Sequence, residues 1–396
     1  MKRKWILFIC LLSIVLMLAP SRMEGAEKIL KVGLVAPLTG GAAPWGLMWQ
    51  RTLQLLVEQY NAAGGIEVGG EKYRIELISG DDKYIPSEAV SVTNRLVFKE
   101  NVKFILGSIG SACVLAMSPI TEGNRIVAIV NSYTPKALGP DKPFTFRATT
   151  TMGEIIPPMF KWVKENHPNL RKAGLLGPND ESGWSILAEY KVACKNLGYE
   201  IVAEEYYERN TVDYYPVLTR ILSKKPDIFM LDGSTGDLGL VLKQAKQMGF
   251  KGPALTSNTQ DAERFCRVSG EEAAEGLISS TQFVVPGKIQ EWHDAYVARW
   301  KGWDAVSIGS VDGFDLLIAG IKKADSLDTE KVRIGIENVN FVSRLFGPLK
   351  LGGIKRYGIA HQLLLPVAIS QIRKCKNVGV VLAPPEEGNP PPEIKK

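Results

Sequence analysis

The feature that most constrains this chain is an alternation. Apolar runs of strand length are followed by amphipathic stretches of helix length, and the pattern occurs twice. The run Ile29–Pro37 (ILKVGLVAP) is continuous and apolar, as expected of a strand buried on both faces. Behind it Trp49, Leu53, Leu56, Val57 and Tyr60 share one helical face, and glycines at 64 and 65 end the helix. Tyr73, Ile75 and Leu77 alternate as a second strand ending at Gly80-Asp-Asp82. A helix is expected over Ser87–Glu100, then strands over Val102–Leu106 and Ile126–Val130. After Arg147 the rhythm restarts, with strands at Ala173–Gly177, Glu200–Tyr206, Pro226–Leu231 and Pro253–Thr256. Strands alternating with helices argue an α/β fold of two parallel sheets, each covered by helices.

Parallel sheets of this kind bind ligands beyond the carboxyl ends of their strands. The strand ends are therefore the candidate site. In the first unit they read Gly107-Ser-Ile-Gly-Ser111 and Asn131-Ser-Tyr-Thr-Pro135. Ser111 opens a helix, where a hydroxyl and free backbone N–H groups favour an anion. Ser132 and Thr134 add neutral hydrogen-bonding groups. Taken singly, each turn is equally a helix cap, but two on successive strand ends suit a seat for a small carboxylate. In the second unit the ends are Pro178-Asn-Asp-Glu-Ser-Gly-Trp184, Asp232-Gly-Ser234 and Ser257-Asn258-Thr259. Two units facing each other through such ends would enclose a cleft. Trp45, just after the first strand, is either an aromatic wall for the ligand or core.

Other chemistry is not supported. No nucleophile lies in a GxSxG elbow, no Walker loop or GxGxxG occurs, and His167, His293 and His361 lack metal-ligand spacing and read as surface or helix residues. Asp81-Asp82 reads as a turn former. No enzyme activity, cofactor or metal is expected. Lys2-Arg-Lys4 before the apolar run Trp5–Ala19 reads as a signal peptide ending after Ser21 or Ala26, which places the mature protein in the periplasm or extracytoplasmic space. The net charge of +6 falls to about +3 without residues 1–26, and no basic stripe suggests nucleic acid. Of the remaining cysteines, Cys113, Cys194, Cys266 and Cys375, any pairing or none is possible.

Several segments, in this order and spacing, resemble the leucine/isoleucine/valine-binding family of extracytoplasmic solute receptors. They are KVGLVAPLTG with the following PWG, NAAGGIEVGG, ELISGDD, ILGSIGS, SYTPKAL, FRATT and EEAAEGLI. The resemblance spans roughly Lys28 to Val381. It implies a two-lobed type I periplasmic-binding fold, each lobe a mostly parallel sheet flanked by helices, with three crossovers at the hinge. These are expected near Arg147–Met152, Ser279–Phe283 and Arg344–Gly347. Lobe 1 would comprise 27–148 plus 282–345 and lobe 2 would comprise 149–281 plus 346–383, before a disordered tail at 384–396.

The resemblance also implies roles. Ser111 would hold a ligand carboxylate, Ser132 and Thr134 the ammonium, and Trp45 would cover the side chain, with Ile109, Gly110 and Tyr133 completing that wall. Lobe 2 departs from the family pattern. Ser182, with Trp184 close by, stands where a tyrosine is expected, and a second tyrosine is replaced near Ser234. Ser257–Gln260, which includes Asn258, lacks the acidic partner of the ammonium; Asp232 or Asp261 could compensate. That departure points away from a simple branched-chain amino acid. The implied function is a monomeric substrate-binding receptor for a small carboxylate-bearing ligand, an amino acid or related organic acid, delivering to the permease and ATPase subunits of an ABC importer. A ligand-sensing protein of the same fold is the alternative.

Overall fold

The computed structural model describes residues 28–281, 288–302 and 308–393. The expected signal segment, Phe283, Trp303 and residues 394–396 lie outside these ranges. The strands are β1 (Lys28–Ala36), β2 (Ile66–Val68), β3 (Glu71–Asp81), β4 (Phe104–Ile109), β5 (Val127–Asn131), β6 (Thr145–Arg147), β7 (Lys172–Pro178), β8 (Glu200–Tyr207) and β9 (Ile228–Leu231). They continue with β10 (Ala254–Thr259), β11 (Ile278–Thr281), β12 (Val342–Ser343), β13 (Gly347–Pro348), β14 (Lys350–Gly352), β15 (Gln362–Leu364), β16 (Val367–Arg373) and β17 (Lys376–Ala383).

Two large sheets result, an eight-stranded one in the order β14-β15-β6-β5-β4-β1-β3-β2 and a seven-stranded one in the order β17-β16-β11-β10-β9-β7-β8. Pairing is parallel from β15 through β6, β5, β4 and β1 to β3, and from β11 through β10, β9 and β7 to β8. Each sheet reverses direction of growth at its first strand. β1 lies between β3 and β4, and β7 between β8 and β9. These are the switch points at which such sheets open a crevice. All of β4 is buried; its sequence is apolar but for Ser108, whose hydroxyl donates to Asp82.

The chain passes between the sheets three times. After β6 the helix Met152–Asn166 buries Ile155, Met159 and Val163 against the second sheet's core. After β11 the chain returns, because Ile289, Trp292 and Tyr296 of the helix Lys288–Trp300 join the first core. The third passage differs from expectation. β14 and β15 still belong to the first sheet and β16 to the second, so the crossing falls at Leu365-Pro366 rather than Arg344–Gly347. Residues 346–364 therefore side mostly with the first sheet. The glycine-rich sequence around 347–353 forms parts of the short antiparallel pairs β12–β13 and β14–β15.

Two further expectations are corrected. Residues 384–393 lack regular structure yet pack on the body. Glu387 accepts from the backbone N–H groups of Lys355 and Arg356, Arg356 donates to the Asn389 carbonyl, and Gly388 is buried against Gly153. Composition suggested disorder, but Arg356 is nearly fully buried and pairs with Glu189 of the second lobe, and the tail supplies acceptors at that junction. His361 is likewise interior. It stacks on Phe146 at 3.9 Å, with Nδ1 donating to the Thr145 carbonyl at 2.9 Å and Nε2 at 2.9 Å from Glu337. The cysteines resolve as one disulfide, Cys266–Cys375, which ties the helix Ala262–Ser269 to the β16–β17 turn, while Cys113 and Cys194 are buried thiols.

Candidate functional site

A cavity lies where the carboxyl ends of the two sheets meet. From the first sheet come Trp45 and Trp49 on the helix after β1, Tyr84 after β3, Ile109 to Ser111 after β4, Asn131 to Tyr133 after β5, and Thr149 and Thr150 after β6. From the second come Ser182 after β7, Arg209 after β8, Asp232 and Gly233 after β9, and Asn258 to Gln260 at the end of β10. Ile155 completes the lining. Apart from the helical Trp49 and Ile155, the lining follows from the parallel topology, since strand ends collect on one edge of each sheet.

The first wall is neutral. Ser111 begins the helix Ser111–Gly123, and its Oγ accepts the Thr134 N–H at 3.1 Å and the Ser132 hydroxyl at 3.4 Å. Its own hydroxyl hydrogen is therefore available to a ligand. Behind this turn lies Arg147, fully buried. Its Nη1 donates to the carbonyls of Ser132 at 2.9 Å and Thr134 at 3.1 Å, and its Nε donates to Gln362 at 2.6 Å. The guanidinium thus fixes the second turn from beneath. Tyr84 reaches the cavity because Asp82 accepts its N–H at 2.9 Å, holding a tight turn in which Tyr84 has φ +63°. The Asp81 carboxylate accepts from Leu38, Thr39 and Lys83, so both aspartates act as turn formers. Gly110 cannot carry a side chain, since φ is +111° and a Cβ would come within 2.5 Å of the Tyr84 ring. Trp45 packs beside Tyr84 at 5.9 Å between centroids.

Charge enters from the second wall. Asp180 caps the helix Glu181–Leu197 by accepting from Ser182 and Gly183 through Oδ1, and it holds Arg209 Nε at 2.5 Å through Oδ2. The Arg209 guanidinium then faces the rings of Tyr84 at 4.9 Å and Trp45 at 6.0 Å across the cleft. Asp232 is 2 % exposed. Its Oδ1 accepts from Asn258 Nδ2, while Oδ2 has no hydrogen-bond partner. Burial pushes this carboxyl up to about 7, although Arg209 and the Asn258 hydrogen bond act the other way.

Of the residues expected at the ligand, Trp45, Ile109, Gly110, Ser111, Ser132, Tyr133, Ser182 and Asn258 line the cavity. Thr134, Trp184 and Ser234 are used elsewhere. The Thr134 hydroxyl donates to Glu181 at 3.0 Å across the interface, where Lys136 also meets Glu181 at 2.9 Å. The Trp184 indole N–H donates to Asn179 at 3.1 Å, away from the lining. Ser234 caps the helix Thr235–Gln247 in a reciprocal pair with Asp237. Sequence reasoning missed Tyr84, Arg209, Thr149, Thr150 and Gln260. It favoured small polar residues at strand ends, whereas the position beyond β8 was itself the signal that would have found Arg209. Among the described residues no cluster of three or more His, Cys, Asp or Glu could hold a metal, and no helix is long and apolar enough to cross a membrane.

Two sheets joined by three passages, with a cavity between their carboxyl edges, define a two-lobed type I periplasmic-binding fold. The chain belongs to the periplasmic binding protein family, whose pattern matches residues 29–376. Among its relatives, a leucine-, isoleucine-, valine-, threonine- and alanine-binding protein of Pseudomonas aeruginosa is 25 % identical over 315 residues, 78 % of this chain and 82 % of the relative. A Leu/Ile/Val-binding protein of Rhizobium johnstonii is 25 % identical over 83 % of this chain and 88 % of its own. In structure, a leucine-binding protein of Thermotoga maritima superposes with a TM-score of 0.78 at 22 % identity, covering 90 % of this chain and 99 % of the other. A solute-binding protein of R. palustris in complex with benzoate gives the same TM-score and identity over 91 % and 98 %.

Proposed function

We propose that this protein is the solute receptor of an ABC importer and captures a small ligand bearing both a carboxylate and an amine. The observation that carries the reading is the pairing of two strand-end groups, the Ser111 hydroxyl at a helix N-terminus and the partnerless Asp232 oxygen. The first suits a carboxylate and the second an ammonium. A zwitterion entering a closed cleft needs both, because an unpaired buried charge costs several kcal/mol. Asp232 fills from the adjacent strand end the role that Ser257–Gln260 leaves vacant, and so weakens the argument against an amino acid. The names of the relatives, mostly binding proteins for leucine, isoleucine and valine, support the same class.

A second reading rests on the rings of Trp45, Tyr84 and Tyr133 and on the benzoate-bound structural relative. A flat acid without an amine would fit this cleft if Asp232 were protonated. A thermal-shift panel of leucine, isoleucine and valine beside benzoate, short-chain acids and amides decides between them. Stabilisation by the amino acids and not by benzoate is expected; the reverse order would overturn the amine.

A further inference from the structure

We propose that Arg209 sets the ligand specificity of this cleft, donating from its Nη groups to a hydrogen-bond acceptor carried at the end of the ligand away from its carboxylate. The proposal rests on the reading of the carboxylate head group given above, and it deepens that reading by naming the other end.

Strand order separates the two ends. Ser111 and Ser132 follow β4 and β5, whereas Trp45 and Tyr84 follow β1 and β3, on the opposite side of the switch point. In the facing sheet Asn258 and Asp232 follow β10 and β9, whereas Arg209 follows β8. Head-group partners thus cluster on one flank of both sheets, and Arg209 with the two rings on the other. β4 and β3 are two strand spacings apart, about 10 Å at the backbone, and the Tyr84 ring reaches back from its flank as far as Gly110. A small amino acid or a phenyl-sized acid with a hydrogen bond at each end spans such a gap.

Arg209 is also prepared for a ligand. Asp180 holds it through Nε alone, and the ion pair of Nη1 with Asp237 is a long 4.0 Å. Among the described residues neither Nη1 nor Nη2 has a hydrogen-bond partner, and the side chain remains 20 % exposed. Its guanidinium carbon lies over the Tyr84 and Trp45 rings at 4.9 and 6.0 Å from their centroids, contacts that use none of its donors. An arginine fork held at one edge with free donors at the other suits a carbonyl or carboxylate. Asp180 already balances its charge, so a neutral amide or hydroxyl acceptor is accommodated as well as an anion.

The test uses matched pairs on the mature protein, measured by isothermal titration calorimetry: asparagine against its isostere leucine, and 4-hydroxybenzoate against benzoate, which lacks the hydroxyl. Wild type is expected to favour the acceptor-bearing member of the pair it binds by about 10- to 100-fold, the range of a hydrogen bond to a charged group. Arg209→Met keeps the packing on the rings and should erase most of that preference, while Arg209→Lys retains part of it. Unfolding curves of both variants establish that they are folded. Equal weakening of both members of a pair by Arg209→Met would mean that Arg209 only holds the lobes together, and would overturn the proposal. A wild-type preference for leucine and benzoate would do the same. Binding of none of the four overturns the head-group reading itself, and the inference with it.

Discussion

Around the cleft, the wall built by β1, β3, β4, β5 and β6 presents hydroxyls, amides and rings, whereas the wall built by β7 to β10 presents a guanidinium and a carboxyl. Both walls follow one topological plan, and their scaffolding differs accordingly. Neutral groups such as Ser111 and Ser132 satisfy one another. Arg209 and Asp232 each need a dedicated partner, Asp180 and Asn258, to stay in place. The charged side chains that serve the first wall, Arg147, Asp81 and Asp82, are kept out of the cavity lining and used to shape the backbone. On the proposed reading the labour is divided, the neutral wall seating the carboxylate that many ligands share and the charged wall discriminating among them.

Asp232→Asn tests the charged wall most severely. If the ligand carries an amine, removing the carboxylate leaves a buried ammonium unpaired, and binding should weaken by about 3–5 kcal/mol. Calorimetry with the best ligand from the panel measures this, and unchanged affinity would return discrimination to the first wall. Next comes Arg147→Met, which takes the donor from the Ser132 carbonyl and from Gln362 Oε1 and leaves the Thr134 carbonyl only the Ala137 N–H. At about 1–3 kcal/mol per buried unsatisfied group, urea unfolding should show a loss of at least 2 kcal/mol together with weakened binding. Unaltered stability would mean that the turn holds its own shape.

Ser111→Ala addresses the neutral wall directly. Losing one charge-assisted hydrogen bond, worth about 1.5–3 kcal/mol, should weaken binding roughly ten- to a hundred-fold. Because Ser111 Oγ also accepts the Thr134 N–H, the empty protein should lose about 1 kcal/mol as well. Equal binding by variant and wild type would reduce the turn to a helix cap.

The smallest effect is the pH dependence. The Asp232 carboxyl is raised from 3.8 to about 7 in the folded protein. Its contribution to the stability of the empty protein is therefore fully present below about 4 and lost as pH rises through about 7. An amine-bearing ligand requires the ionised form, so affinity should rise from pH 5.5 to pH 7.5. An acid without an amine requires the neutral form and should bind more weakly over the same interval. Titrations at the two pH values give opposite signs for the two ligand classes.

Much of this protein was determined by its sequence alone. Uninterrupted apolar runs such as ILKVGLVAP must be buried on both faces, and their alternation with helices dictates parallel sheets whose carboxyl edges hold the site. Ser111 and Ser132 could be placed at the cavity for that reason, because each sits within two residues of a strand end. What local sequence could not carry is any contact made across the fold. Arg209 reaches the cavity because Asp180, from another strand end, turns it there. Asp232 has a free oxygen because Asn258 occupies only one side. Thr134 is drawn off by Glu181 and Trp184 by Asn179. The third passage was misplaced for a related reason, since β14 and β15 are short strands whose sheet is chosen by pairing rather than by hydrophobic pattern. Periodicity records which face of an element is buried; the partner that satisfies a buried polar group is fixed only when distant strand ends meet.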